Sequence, residues 1–178
     1  MRQIIIYLSN IIDKISYWLH QIGGLCLLMI AILIMAEVFS RSLLNHSISI
    51  TWEIGSYLLA ASWFLAMGYT LRTDGHIRIS LFNQILGEKG SWILDIIATF
   101  FGIVITFLIF YALFNYLSVD SFIRGKTSYT PMQTPLYIPQ TVMAIGMLVF
   151  FLQMVMRFFR LLIKENPDIT LQQSQEID

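Results

Sequence analysis

Long apolar runs alternate along this chain with short clusters of polar and charged residues, and the rhythm changes near residue 22. Before that point Ile4, Leu8, Ile11, Ile12, Ile15, Trp18, Leu19 and Ile22 recur at the three- and four-residue spacing of one helix face. Asn10, Asp13, Lys14 and Gln21 fall between them. The pattern predicts an N-terminal amphipathic helix over residues 1–21. Such a helix can lie along a membrane surface with Trp18 at headgroup depth, or run straight on into the next segment. The expectation is the interfacial placement.

After residue 21 the runs lengthen until each can cross a bilayer. The first covers residues 22–44, and at ~1.5 Å per residue it is long enough for a ~30 Å hydrocarbon core with some tilt. Gly23 and Gly24 near its start are small enough for close helix contact. The second covers residues 52–71 and opens on Trp52 and Glu53. Its small residues Gly55, Ala60, Ala61, Ser62, Ala66 and Gly68 suit it to packing against other helices. A short amphipathic piece, 77–86, and a polar connection, 83–91, are expected before the third span, 92–119. Residues 120–139 form a longer connection in which Pro131, Pro135 and Pro139 disfavour a continuous helix. Pro139 is placed to open the fourth span, 138–160. Residues 166–178 read as a flexible polar tail. The expected fold class is an all-α membrane protein, a single membrane domain of four transmembrane helices behind the amphipathic helix.

Composition strengthens this picture. Only 12% of the 178 residues are charged and 57% are hydrophobic, where a soluble domain carries about 25% charged residues. The formal net charge is zero and basic residues are scattered, so nucleic acid is not an expected partner but membrane lipid is. Cys26 stands alone, cannot form an internal disulfide, and reads as a small buried hydrophobe. Residues 1–21 lack the small-x-small site of a cleaved signal. Orientation follows from the 11 basic residues. Arg2, Lys14, Arg72, Arg78, Lys89, Arg157, Arg160 and Lys164 share one side of a four-span chain; Arg41, Arg124 and Lys126 take the other. The positive-inside rule then predicts both termini in the cytoplasm, N-in and C-in.

Candidate chemistry concentrates between residues 37 and 81. Glu37 and Arg41 stand four apart on one helix, so their side chains meet and can neutralise each other near hydrocarbon. Glu53 can cap the second helix at its N-terminus, or pair with Arg41 across the turn at Asn45, His46 and Ser47. Three histidines raise the question of haem, but His20 and His46 lie ~39 Å apart along a helix, and His46 and His76 end the second span on opposite sides. A buried bis-histidine haem is not expected. No catalytic acid pair, metal-ligand spacing or nucleophile elbow stands out, and the chain does not read as an enzyme. No ionisable residue other than tyrosine occurs at 96–119 or 138–156. A lone carrier of a polar solute needs polar groups or broken helices at the midplane. An accessory or scaffold membrane subunit is the reading these residues favour.

Arg41, the Asn45–His46–Ser47 turn, Trp52 with Glu53, the small-residue span ending at Gly68, and the set Arg72, Gly75, His76 and Arg78 together resemble a known pattern. It is that of the small membrane subunit of tripartite ATP-independent periplasmic (TRAP) transporters, the DctQ-like Q subunit. The resemblance covers residues 15–85 and departs at Ile54, where the family often has a second acid. It implies a partner, the large M subunit, which carries substrate and sodium by an elevator movement while the Q subunit enlarges the fixed scaffold. It also implies a periplasmic binding protein, P, that delivers an organic acid such as a C4-dicarboxylate or a sialic acid. The setting would be a bacterial inner membrane, with sodium in the M subunit and no cofactor in this chain. By analogy, Arg124 and Lys126 become candidates for docking the P protein, while Gly75, His76 and Ile77 read as a structural turn. The rival reading is a membrane-anchor subunit of a respiratory redox complex.

Overall fold

No proline or polar turn interrupts the start of the chain, and α1 runs unbroken as Arg2–Leu44. The computed structural model describes residues 2–47, 50–73 and 81–163. Along its 43 residues α1 measures about 65 Å, twice the thickness of the hydrocarbon core. Residues 2–21 are thus continuous with the first span in one helix, and not a separate element set off by a break. The reason lies in which face is turned inward. Leu8, Ile11, Ile15, Trp18 and Ile22 are exposed, whereas Ser9, Ser16 and Gly23 are buried. In water the apolar face of such a helix seeks the protein. In lipid it can face the solvent, and the polar face packs.

The chain leaves α1 through Asn45, which holds a left-handed φ of 50°, a conformation asparagine tolerates better than most residues. Helix α2 spans Ile50–Arg72 and α3 spans Leu81–Tyr111. The expected polar connection at 83–91 is thus helical. Gln84, Glu88 and Lys89 are good helix formers, and two glycines do not outweigh them. Helix α3 passes directly into a π-helix, Ala112–Val119, and then a short α4, Asp120–Arg124. Gly125, at φ 58°, ends α4. A narrow ribbon follows: Ser128 N donates to Thr134 O at 2.9 Å and Leu136 N to Lys126 O at 3.0 Å, flanking a bridge between Thr127 and Pro135. Helix α5, Tyr137–Leu162, carries Pro139 in its first turn, where a missing N–H costs nothing.

Among the described residues four helical segments are long and apolar enough to cross a membrane: Ile5–Leu44, Ile50–Arg72, Gly90–Arg124 and Tyr137–Leu162. Four crossings return both ends to the same side. Helix α5 is the centre of the bundle and packs against α1, α2, α3 and the π-helix. Glycine makes the closest approach possible. A Cβ built on Gly146 would stand 2.5 Å from Phe64 O of α2, and one on Gly23 3.0 Å from Ser62 O. The buried core gathers Leu71, Leu113, Ala144, Met147 and Phe150 between these helices. On the other side α3 joins α5 through aromatic pairs, Phe107 with Phe151 at 5.6 Å and Phe100 with Phe158 at 6.5 Å. Trp92 Nε1 also donates to Leu161 O at 3.0 Å.

Candidate functional site: polar clusters at the two ends of the bundle

The charged residues of the first helix turn out to serve opposite ends. At the end near the α1–α2 turn, Arg41 Nη2 lies 2.7 Å from Glu37 Oε1. Ser47 Oγ donates to the same oxygen at 2.8 Å and accepts from Arg41 at 3.2 Å. The turn is closed by Ser40 Oγ, which donates to His46 O at 2.8 Å. The i,i+4 spacing therefore produces the pair it predicted, and the turn supplies a third member.

The pairing of Arg41 with Glu53 does not form and is corrected. Glu53 lies in the first turn of α2, buried, and takes hydrogen bonds from Tyr57 OH at 3.0 Å and from Thr130 Oγ1. Thr130 belongs to the ribbon before α5. Glu53 thus ties the start of α2 to a segment 77 residues away, and its carboxylate is turned from α1 toward that ribbon. Its neighbour Trp52 points outward and is 75% exposed. Arg124 and Lys126 are exposed beside the ribbon, and each pairs with Asp120 at 2.5 Å.

The opposite end holds the more deeply packed cluster. Asp13 Oδ2 accepts from Arg72 Nε at 3.1 Å and from Arg160 Nη2 at 2.7 Å. Asp13 Oδ1 accepts from Gln153 Nε2 at 2.9 Å, and Gln153 reaches Ser16 Oγ at 3.0 Å. One carboxylate therefore joins α1, α2 and α5. Gln153, Ser16, Arg157 and Arg160 are all buried. Gly68, one turn before Arg72, clears the space: a Cβ there would lie 3.2 Å from Ser16 Oγ and 3.3 Å from Val149 Cγ1. His20, one turn beyond Ser16, stacks on Tyr69 with centroids 4.8 Å apart.

Of the residues singled out in the sequence, the structure brings Glu37 and Arg41 together at one end and joins Arg72 to a cluster beside Gly68 at the other. Glu53 belongs to a third contact. Gly75, His76 and Arg78 lie outside the described residues. Sequence reasoning missed Asp13 as a contact between helices, with Ser16, Gln153 and Arg160. The signal was present as spacing: Ser9, Asp13, Ser16, His20 and Gly23 advance by alternating fours and threes, as Gln153, Arg157 and Arg160 do.

Four apolar spans with their charged residues gathered at the ends define a multi-pass helical membrane protein. Residues 30–164 match the family described as tripartite ATP-independent periplasmic transporters, DctQ component. The chain belongs to that family; it is the small permease subunit of a TRAP transporter, a transport component and not an enzyme. A curated relative, the ectoine TRAP transporter small permease protein TeaB of Halomonas elongata, is 25% identical over 146 residues. The match covers 82% of this chain and 73% of that protein. No solved structure matches the chain.

Proposed function

We propose that this subunit is a scaffold for a large M permease subunit, in sodium-coupled uptake of an organic acid delivered by a periplasmic binding protein. The observation that carries the reading is the emptiness of the membrane midplane. No Asp, Glu, Lys, Arg or His occurs at 21–36, 54–71, 96–119 or 138–156, so the bundle offers a polar solute or an ion no charged group at mid-depth. The clusters at its ends hold helices together. A rigid bundle with apolar outer faces is suited to standing beside a moving partner.

Membership of the family supports pairing with an M subunit and a binding protein. The distribution of basic residues supports an inner-membrane setting with both termini in the cytoplasm. On that orientation Glu37, Arg41, Glu53, Arg124 and Lys126 lie at the periplasmic end, where the binding protein would approach. Sodium is assigned to the M subunit. The Halomonas relative is named for ectoine, and the substrate class assigned here is a small organic acid. C4-dicarboxylates and sialic acids are the first to assay, with ectoine beside them.

The test is co-purification from the native host after mild solubilisation, joined to uptake assays in a deletion strain. A stoichiometric multispan permease in the eluate, and loss of uptake of one organic acid on deletion, is the expected result. Recovery with a flavin or iron–sulfur subunit would replace the scaffold by a redox anchor. Recovery of the chain alone, with transport in liposomes, would show that the midplane argument fails.

A further inference from the structure

Between α1 and α2 a groove of about 710 Å³ opens at the end that carries Glu37 and Arg41. Its walls are apolar, formed by Ile30, Leu33, Ile34 and Val38 on one side and Leu59 and Gly55 on the other. From Ile30 to Arg41 the groove follows α1 for ~16 Å, the depth of one leaflet of a ~30 Å hydrocarbon core. With Arg41 at headgroup level, this length brings the apolar end to the midplane. Arg41 stands at that polar end with its side chain 58% exposed. Among the described residues it contacts protein through Nη2, toward Glu37 and Ser47, so its Nε and Nη1 donors have no partner there and the side chain is largely exposed. Trp52, bare at the rim, sits at the depth where indole rings meet headgroups.

We propose that this groove holds one phospholipid of the leaflet on the side of the α1–α2 turn. Its acyl chain lies between α1 and α2, and its phosphodiester accepts from Nε and Nη1 of Arg41. Depth, apolar lining and the guanidinium fork fit a phosphate-headed chain together. The charge of Arg41 is balanced by Glu37, so a zwitterionic headgroup is favoured over a strongly anionic one. The site holds whichever side of the membrane the α1–α2 turn faces, and does not depend on the scaffold reading.

The test is photolabelling of the full chain in nanodiscs of phosphatidylethanolamine and phosphatidylglycerol. The probe is phosphatidylethanolamine carrying a photoreactive group at the end of one acyl chain. Labelling is expected to concentrate severalfold on residues 30–34 and 59, at the midplane end of the groove, over the bare Phe100, Phe101 and Leu108 of α3. Leu33→Trp, which fills the groove, should bring it down to the level of α3. Leu59→Trp fills the same space from α2 and serves if the first variant fails to insert. Arg41→Gln should also lower it, because the phosphate loses its donors. Even labelling of all outer faces overturns the site, and labelling unaffected by Arg41→Gln overturns the role of the guanidinium. A photoreactive residue at position 33 that captures a polypeptide instead of lipid, in the complex purified from cells, assigns the groove to a partner helix and overturns the proposal.

Discussion

Asp13 and Arg41 are both charged residues of α1, and their surroundings predict different costs of removal. The Asp13 carboxylate is 15% exposed and serves three donors from two other helices. Removing one partner of a buried ion pair costs about 3–5 kcal/mol, so Asp13→Ala is expected to lose about 3 kcal/mol, read as a large fall in melting temperature in micelles. The Arg41 side chain is more than half exposed, and pairs of that kind contribute below about 1 kcal/mol. Arg41→Ala should therefore leave thermal stability nearly unchanged. Arg41→Glu should do more harm than alanine, by placing like charges four residues apart, and Glu37→Arg in the same chain should restore the loss. Equal melting temperatures for Asp13→Ala and wild type would show that the inner cluster does not hold the bundle. The spacing of Asp13 is visible in the sequence but not its packing on other helices, because the sign of an amphipathic pattern depends on whether water or lipid surrounds it. The Glu37–Arg41 pair was legible because both partners sit on one helix. The partner of Glu53 was not, since Thr130 is distant in the chain and the path of the ribbon decides it.

At the scale of elements, the packing of α5 on α2 rests on the absence of a side chain at one position. Gly146→Ala forces its new methyl against the backbone of Phe64, which cannot swing aside as a side chain would, so the helices must part. Gly24 has nothing within 4 Å of its would-be Cβ, and alanine there should be neutral or slightly stabilising, as helix propensity favours it. Gly68→Ala should fall between, since Ser16 and Val149 need to yield only a few tenths of an ångström. The melting temperatures of the three variants check that order, and a Gly146→Ala protein as stable as Gly24→Ala would refute the close approach. The four apolar spans were legible from length and hydropathy alone. Three features of their joining were not. Unbroken passage from residue 21 to 22 leaves no mark, because continuity lacks a signal of its own. Residues 83–91 look like a loop by polarity, yet Gln, Glu and Lys are also good helix formers. Nor does the run of Ala112–Val119 differ in composition from the α-helix before it, so its π geometry escapes any reading of hydropathy.

For the whole molecule, the orientation drawn from basic residues makes a two-sided expectation. With Cys26 replaced by serine, a cysteine at the fully bare Tyr129 should react with an impermeant maleimide added from outside to spheroplasts. One at the exposed Gln3 should react only after the membrane is opened; the reverse pattern would invert the topology. The order in which the helices are made carries a second consequence. Of the four described spans helix α5 is the last to leave the ribosome, yet it is the one against which the other three pack, and it brings Gln153 and Arg160 to Asp13. During synthesis α1, α2 and α3 must wait in the bilayer while the helix that unites them is still being translated. Among the described residues α1 and α2 can pack on each other before then, whereas the main packing partner of α3 outside its own continuation is α5. Nascent chains halted before Pro139 would enter the membrane but stay unassembled, open to the proteases and chaperones that patrol it, so the bundle's vulnerable period lasts until its final span arrives.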